Sequence, residues 1–434
     1  MGFRFVLLLG LALAGLVAAV DQEVSEKAPP KAGKKKQKKK KKDPDKWRLR
    51  LGTEPSLRYG KAFEAQFRYR IQTDAVAVDP DPEAERDAFH LRRHRVGIQG
   101  TFLRDFEYEV EYDFAQAERA TRDAYINYRG ARWLQVQGGR FKLPFGRDQL
   151  QSPSALNFVY RSRLGADIAP GRQTGVMLHG PVFGRRLRYE AGYFLHDGEN
   201  SYGIGGERGG DRMGAVRLRS EPARWGKLPA RFQDLELGFA ATRGNVREGR
   251  HGLDGRTSFG STYFPRVEAK GPRLRLGVDV NWTPGPFFVQ AEFIHMRQQR
   301  HGQGVYLNDL PDLVARGWYA SAGWVVTGEK KAGGVRPKRP LFQGGFGAVE
   351  VAFRQEGLRF GSAGRPGEPT LSPRSEGLFS SSDRATTLGA NWYVNRLVKV
   401  QANMIREAVD SPYLDWSRPR RTFWTRVVRL QFSL

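Results

Sequence analysis

Apolar and polar residues alternate with a period of two through most of this chain. Phe63, Ala65, Phe67, Tyr69 and Ile71 share one face, with Glu64, Gln66, Arg68 and Arg70 on the other. Phe106, Tyr108, Val110, Tyr112 and Phe114 alternate with Glu107, Glu109, Glu111 and Asp113. Leu235, Leu237, Phe239 and Ala241 repeat the pattern, as do Leu274, Leu276, Val278 and Val280. A period of two describes a β-strand with one apolar and one polar face, whereas an amphipathic helix repeats every 3.6 residues. About sixteen such segments are predicted. The first eight are 58–72, 88–103, 105–116, 121–129, 133–142, 173–182, 185–196 and 212–220. The second eight are 232–244, 272–283, 286–298, 315–327, 344–355, 384–394, 397–407 and 421–433.

The connections carry a second regularity. Those after odd-numbered segments are mostly long (74–87, 143–172, 197–211, 245–271, 357–383), and those after even-numbered ones mostly short, such as Leu103-Arg104, Thr283-Pro284-Gly285 and Asn395-Arg396. Two of the short set, near 222–229 and 329–340, are longer than a simple hairpin needs. An even number of strands, long loops at one end and short turns at the other describe an outer-membrane barrel. A sheet can cross hydrocarbon only when closed, because every backbone polar group must be paired inside the chain. The fold class is therefore all-β: a transmembrane antiparallel β-barrel of about sixteen strands over 58–434, ending on Val427-Val428-Arg429-Leu430-Gln431-Phe432-Ser433-Leu434. Polar faces rich in Arg, Glu and Gln opposite faces rich in Phe, Tyr, Trp, Leu and Val argue against a soluble sandwich or solenoid. Trp392, Tyr393, Trp416, Trp424, Tyr189 and Tyr193 are candidates for aromatic girdles at the membrane edges.

The amino terminus is organised differently. Arg4, the apolar run from Val6 to Leu16 and the small residues up to Ala19 have the layout of a cleavable signal peptide, 1–19, with Val17 and Ala19 at the cut. Residues 20–57 form a leader that includes a tract of eight lysines, Lys34 to Lys36 and Lys38 to Lys42, flanked by prolines. Such a segment cannot bury apolar surface and is expected to be disordered in the periplasm. It is read first as a solvated periplasmic leader, and otherwise suits anionic lipid headgroups or a polyanionic envelope partner; nucleic acid is not a partner that an exported chain meets. Cysteine is absent, which excludes disulfides and thiolate metal sites.

The formal net charge is +26, and +18 remains without the lysine tract. The excess is mainly arginine, which stays charged at any accessible pH and grips oxyanions with a planar fork. Arg68 with Arg70, Arg93 with Arg95, Arg217 with Arg219, and Arg273 with Arg275 each lie two apart on a polar face, with Arg429 on the last strand. Side chains so spaced are ~7 Å apart along a strand, and the next strand is only ~4.8 Å away. These arginines form a basic ladder able to hand an anion from site to site, or they neutralise carboxylates such as Glu107, Glu109, Glu111 and Asp113 on neighbouring strands. His90 and His94 would stand ~13 Å apart on a strand and cannot share a metal ion. No nucleophile motif or phosphate cradle marks an enzyme, and nothing calls for a cofactor.

Several blocks resemble the phosphate-selective porin O/P family. They are Gly139-Arg140-Phe141-Lys142-Leu143-Pro144-Phe145-Gly146, Leu156-Asn157-Phe158-Val159-Tyr160-Arg161-Ser162, and Pro170-Gly171-Arg172-Gln173-Thr174-Gly175-Val176-Met177-Leu178-His179-Gly180. Gly317-Trp318-Tyr319 with Thr327-Gly328-Glu329, and Thr387-Leu388-Gly389-Ala390-Asn391-Trp392-Tyr393-Val394-Asn395, are similar to it too. The resemblance implies a sixteen-stranded, homotrimeric channel of the bacterial outer membrane, inserted by the barrel-assembly machinery and embedded in outer-membrane lipid. It also implies that the third external loop, here 143–172, folds into the lumen. That loop would bring Lys142, Arg147, Arg161, Arg163 and Arg172 closest to a passing ion, unless Asp148 or Asp167 ties them to the wall. The lysine tract and the terminal Leu434, where such barrels usually end in an aromatic residue, depart from the family pattern.

The resulting expectation is a passive, anion-selective porin, with phosphate-like inorganic anions the leading candidates. A pore for sugars or other neutral solutes, and a structural barrel tethered to the envelope by its lysines, are the alternatives.

Overall fold

A computed structural model describes residues 46–79, 88–117, 120–201, 212–249, 253–363, 378–414 and 420–434. The signal segment, the lysine tract and Trp416 lie outside the described residues. In chain order the strands are β1 (Trp47–Arg50), β2 (Ser56–Tyr59), β3 (Phe63–Asp79), β4 (Ala88–Phe102), β5 (Phe106–Asp113), β6 (Thr121–Ala131) and β7 (Leu134–Lys142). Next come β8 (Arg172–Val182), β9 (Leu187–Phe194), β10 (Met213–Ser220), β11 (Leu235–Gly249), β12 (Gly255–Arg256) and β13 (Thr262–Phe264). The last are β14 (Ala269–Trp282), β15 (Phe287–Arg300), β16 (Leu310–Val325), β17 (Ala348–Ser362), β18 (Ser381–Tyr393), β19 (Val398–Asp410) and β20 (Arg420–Ser433).

Sixteen of these, β3 to β11 and β14 to β20, pair antiparallel in a closed ring. The ring closes where β20 meets β3, with Ser433 opposite Arg70 and Trp424 opposite Asp79. Each of the sixteen expected segments overlaps one of these strands. Leu434 exchanges backbone hydrogen bonds with Tyr69, its N–H donating at 2.8 Å, and the Phe432 ring lies 6.0 Å from that of Tyr69. The aromatic contact of the last strand is thus made two residues before the end, and a terminal leucine leaves the seam intact.

Ordered structure begins ahead of residue 58. Because β20 stops opposite Arg70, the lower edge of β3 is left without a partner; β2 fills it, Ser56 opposite Gln66 and Tyr59 opposite Phe63, and β1 pairs with β2. Trp47 packs against Tyr59 and Phe63, at 5.0 and 6.1 Å between ring centroids. The segment expected to be structureless through residue 57 therefore contains a hairpin, held by a free sheet edge that the leader's composition could not reveal.

The alternation sorts side chains as expected. Phe67, Val110, Tyr112, Phe114, Leu237, Phe239, Leu274, Leu276 and Val278 are exposed on the outside, while Arg70, Arg95, Glu111 and Asp113 are buried within. For a barrel in lipid, that outer apolar band is the membrane-facing surface.

Loop 143–171 folds inward, as the family resemblance implied. It contains one α-helical turn, α1 (Arg147–Leu150), with a 3-10 turn at Pro153–Ala155 and a π-helical turn at Leu164–Ile168, and packs Phe145, Leu164 and Ile168 against Ile294, Met296, Leu358 and Phe360 of the wall. A second inward loop was not expected. The β11–β14 connection carries the β12–β13 ribbon, and its Leu253, Tyr263, Phe264 and Val267 join the same buried cluster. The lumen beside β15 to β17 is therefore filled, and open space is left on the side of β3 to β8.

Gly139 is a tight point in this scheme. It has φ +130°, and a Cβ there would fall 2.3 Å from the Ala124 carbonyl oxygen across the β6–β7 ladder. Gly139→Ala should destabilise the barrel by on the order of 2 kcal/mol, read as a lower urea midpoint of unfolding in detergent.

Candidate ion pathway

The inward loop is held by side chains from the wall. Glu292 accepts the backbone N–H groups of Arg147 and Asp148 at 2.8 and 3.2 Å, and Glu356 accepts that of Arg163 at 2.7 Å. Asn403 accepts the N–H of Val159 at 2.7 Å. Lys399 donates to the carbonyls of Ser154 and Leu156, and Arg429 to that of Val159 at 2.6 Å. A buried loop must have its peptide groups satisfied, and here β15, β17, β19 and β20 supply the partners.

Ten of the fourteen cations picked from the sequence are neutralised by carboxylates. Arg68 pairs with Glu109, Arg70 with Glu111 at 3.3 Å, and Arg95 with both Glu111 and Asp113 at 2.9 and 2.7 Å. These are the cross-strand pairings proposed as the alternative to a ladder. Arg147 goes to Glu236 and Asp279, Arg172 to Asp123 at 2.6 Å, Arg217 to Asp279 at 2.7 Å, and Arg219 to Glu190 at 2.9 Å. Arg273 and Arg275 are fully buried and share Asp197, which descends from the β9–β10 connection. Arg429 grips Asp74 through two nitrogens at 2.6 and 2.7 Å. An arginine so paired contributes little net field.

The remaining four are Arg93, Lys142, Arg161 and Arg163. None of their charged groups forms an ion pair with a carboxylate within 4.0 Å among the described residues. Arg93 donates to Gln72 at 2.7 Å. Lys142 donates to the carbonyls of Leu150 and Gln151 at 3.1 and 2.8 Å, and Arg161 donates to the same Gln151 carbonyl at 2.7 Å. Two cations thus converge on one peptide oxygen, and the second terminal nitrogen of Arg161, its Nη1, is buried without a protein partner. Burial is the chief influence pressing the Arg161 pKa below its usual value; Arg172 and Arg95 add to it against the pull of Asp148. Asp148 itself is engaged by the backbone and hydroxyl of Ser162 at 2.8 and 3.1 Å.

Arg163 differs from the other three. Burial opposes its charge, but Glu407, Asp167, Glu356 and Asp383 surround it and hold its pKa above the usual value. Its guanidinium bonds the Arg256 carbonyl at 2.6 Å, joining the two inward loops.

Two cavities flank the converging pair. One, of about 310 Å³, is lined by Arg68, Arg70, Glu111, Lys142, Leu150 and Ser152. The other, of about 420 Å³, is lined by Arg92, Arg93, Arg95, Arg122, Gln149 and Arg161. Arg92 and Arg122 were missed by the sequence reading. Each sits at a β-bulge: Gln72 faces Arg93 and Thr73 faces Leu91, leaving Arg92 extra, and two residues, Arg122 and Asp123, stand against Glu111. A bulge turns two consecutive side chains toward one face. The same bulge puts His90 opposite Asp74 and His94 beside Tyr69, so that the two histidines point to opposite faces of the sheet.

The Phosphate-selective porin O and P family profile matches residues 63–432. The chain belongs to this family. It is 23% identical to Porin O of Pseudomonas aeruginosa over 81% of this chain and 84% of that one. Among solved structures it is similar in fold to the anion-selective porin from Comamonas acidovorans, with a TM-score of 0.51, 12% identity, and coverage of 85% of this chain and 99% of that one. The outer membrane channel DcaP of Acinetobacter baumannii gives a TM-score of 0.55 at 8% identity, covering 86% and 98%. OmpT of Vibrio cholerae, in its trimer form, gives 0.53 at 8% identity, covering 86% and 100%. Membership of a porin family, with a closed barrel and an apolar outer band, places the chain in the bacterial outer membrane as a channel and not an enzyme.

Between the two inward loops of this porin, Asp167 accepts the Arg256 N–H at 3.3 Å. Burial and then Asp254 push its carboxyl from 3.8 up to about 7, against the pull of Arg163. Because the folded protein keeps this proton to higher pH than the unfolded chain, docking of the two loops around the buried Asp167 should lose stability as pH rises from 3.8 to about 7 and level off above, although the hydrogen bond to Arg256 itself favours the ionised carboxylate. The expected result is a protection factor for the Arg256 amide that falls over that window in hydrogen exchange, and a flat profile in Asp167→Asn.

Proposed function

We propose that this porin is a passive anion channel whose selectivity is set where Lys142 and Arg161 meet at the Gln151 carbonyl, with phosphate the leading substrate. The carrying observation is the missing counter-charge: two half-buried cations converge there with no carboxylate at ion-pair distance among the described residues. A fixed charge in a narrow, poorly hydrated passage acts through a lower effective dielectric than water and attracts the opposite ion strongly. The guanidinium of Arg161 and the ammonium of Lys142, each lining one of the two cavities, offer donors to replace part of an anion's hydration shell.

In this reading Arg92 and Arg93 concentrate anions on the outer side of the loop, while Arg122, Arg68 and Arg70 line the passage with their charge balanced by Glu199, Glu109 and Glu111. Arg95 and Arg172 shape the passage while their charge is balanced by acids. Arg217, Arg273 and Arg275 serve as wall structure. The name of the family to which the chain belongs and the anion selectivity in the description of the Comamonas neighbour support the choice of substrate class. A homotrimer, the form in which the OmpT neighbour is described, completes the proposal.

Zero-current potentials in planar bilayers under a KCl gradient test it. The native channel should sit near the anion limit, and phosphate should block chloride current. Lys142→Gln and Arg161→Gln should each lower the anion-to-cation permeability ratio about tenfold, as loss of ~1.4 kcal/mol of attraction would. Arg217→Gln should leave that ratio within about twofold. A cation-selective native channel, or equal effects from the paired and unpaired cations, would overturn the assignment.

A further inference from the structure

The β10–β11 connection, 221–234, is one of the two turns longer than a hairpin requires, and the ion pathway does not use it. It lies at the end of the barrel that carries the short turns and both ends of the barrel chain, the periplasmic end. Trp225 donates its indole N–H to the Ser220 hydroxyl at 2.8 Å. Ser220 stands opposite Leu237 in the ladder, and Leu237 is on the exposed apolar face, so Trp225 is folded over the outside of the barrel and not the lumen.

A second turn, between β8 and β9, leans against it. Arg186 donates to the Arg224 carbonyl at 3.0 Å, and its guanidinium lies 5.6 Å from the Trp225 ring centroid. Three consecutive residues there, Phe183, Gly184 and Arg185, have positive φ of 51°, 65° and 68°. Left-handed backbone costs roughly 1–2 kcal/mol at a residue with a Cβ, yet this turn keeps it and leaves the Phe183 ring 68% exposed. Further along the connection the arrangement recurs. Arg231 lies 5.1 Å over Phe232, Phe232 stacks on Trp282 at 5.4 Å, and Trp282 donates to the Arg231 carbonyl at 2.6 Å. Trp282, opposite Leu235, shares the outward register of Val280 and Leu237.

The charge of this surface is one-sided. Arg224 is matched by Glu221 at 2.5 Å, which leaves Arg185, Arg186, Lys227 and Arg231 against Asp234 alone on these two turns. Aromatic rings at a membrane edge sit at headgroup level, and basic groups beside them face the phosphates. The surface is continuous with the lipid-facing band through Leu237 and Phe239. We propose that it binds anionic phospholipids of the periplasmic leaflet. Arg185, Arg186, Lys227 and Arg231 meet the phosphodiester, and Phe183, Trp225 and the Phe232–Trp282 stack lie in the interface.

The test reconstitutes the full-length protein in a mixture of phosphatidylcholine and phosphatidylglycerol, exchanges it into neutral detergent, and measures retained lipid by mass spectrometry. Phosphatidylglycerol should be enriched over phosphatidylcholine. Arg186→Gln and Lys227→Gln should each lower that enrichment about fivefold at low salt, with conductance and ion selectivity unchanged. No enrichment, or enrichment unaltered in both variants, would overturn the proposal. So would displacement of the lipid by millimolar inorganic phosphate, which would mark a free-phosphate site. The chain has no cysteine, so a cross-linker on Phe183→Cys reports only this surface; linkage between copies would show a subunit contact and overturn the lipid assignment.

Discussion

In hydrocarbon an unpaired peptide group costs several kcal/mol, so a membrane-spanning sheet has no tolerable edge. Closure of β20 on β3 is the consequence, and much else in this molecule follows from it. The closed ring leaves each side chain one of two destinations, lipid or lumen, and the period of two decides which. Where the ring leaves an edge below Arg70, the chain supplies a hairpin to cover it. Charges have nowhere to go but inward.

Crowding cations and carboxylates inside a barrel forces a choice at each position between pairing and function. Burying an unpaired charge is expensive, while a paired one is close to neutral in its outward field. Most of the arginines here take the first course, including pairs such as Arg273 and Arg275 on Asp197, which stiffen the wall where external loops descend. Lys142 and Arg161 take neither an aspartate nor a glutamate as ion-pair partner and donate instead to peptide carbonyls, which is why we propose the second course for them. The wall groups that satisfy the loop's backbone keep these two cations in place, so the proposed selectivity rests on Glu292, Asn403, Lys399 and Arg429 as much as on the cations themselves.

Filling of the lumen is uneven. The two inward loops bury an apolar cluster against β15 to β17 and displace the open space toward β3 to β8. Which arginines line a cavity is decided by that packing. Arg68 and Arg93 line cavities, whereas Arg217 and Arg275 carry the same spacing signal and are sealed.

The local alternation was enough to locate all sixteen strands and, away from the bulges, the side that most of their residues face, because lipid and lumen impose opposite polarity on neighbours ~3.3 Å apart. It also held a signal that went unread. Arg92-Arg93 and Arg122-Asp123 are consecutive charged residues on membrane strands, and both members can avoid lipid only if the strand bulges, as both strands do. The hairpin ahead of residue 58 and the descent of loop 253–268 had no such mark, since each depends on surface offered by residues remote in sequence. Pairing of charges is of the same kind. Arg147 meets Glu236 and Arg172 meets Asp123 across distances that no periodicity encodes. Sequence alone therefore determined the barrel, its membrane face and its inward arginines, all products of short-range pattern. Only the tertiary structure decided which of those arginines keep an unbalanced charge, because that is set by the carboxylates brought within a few ångströms of them through space.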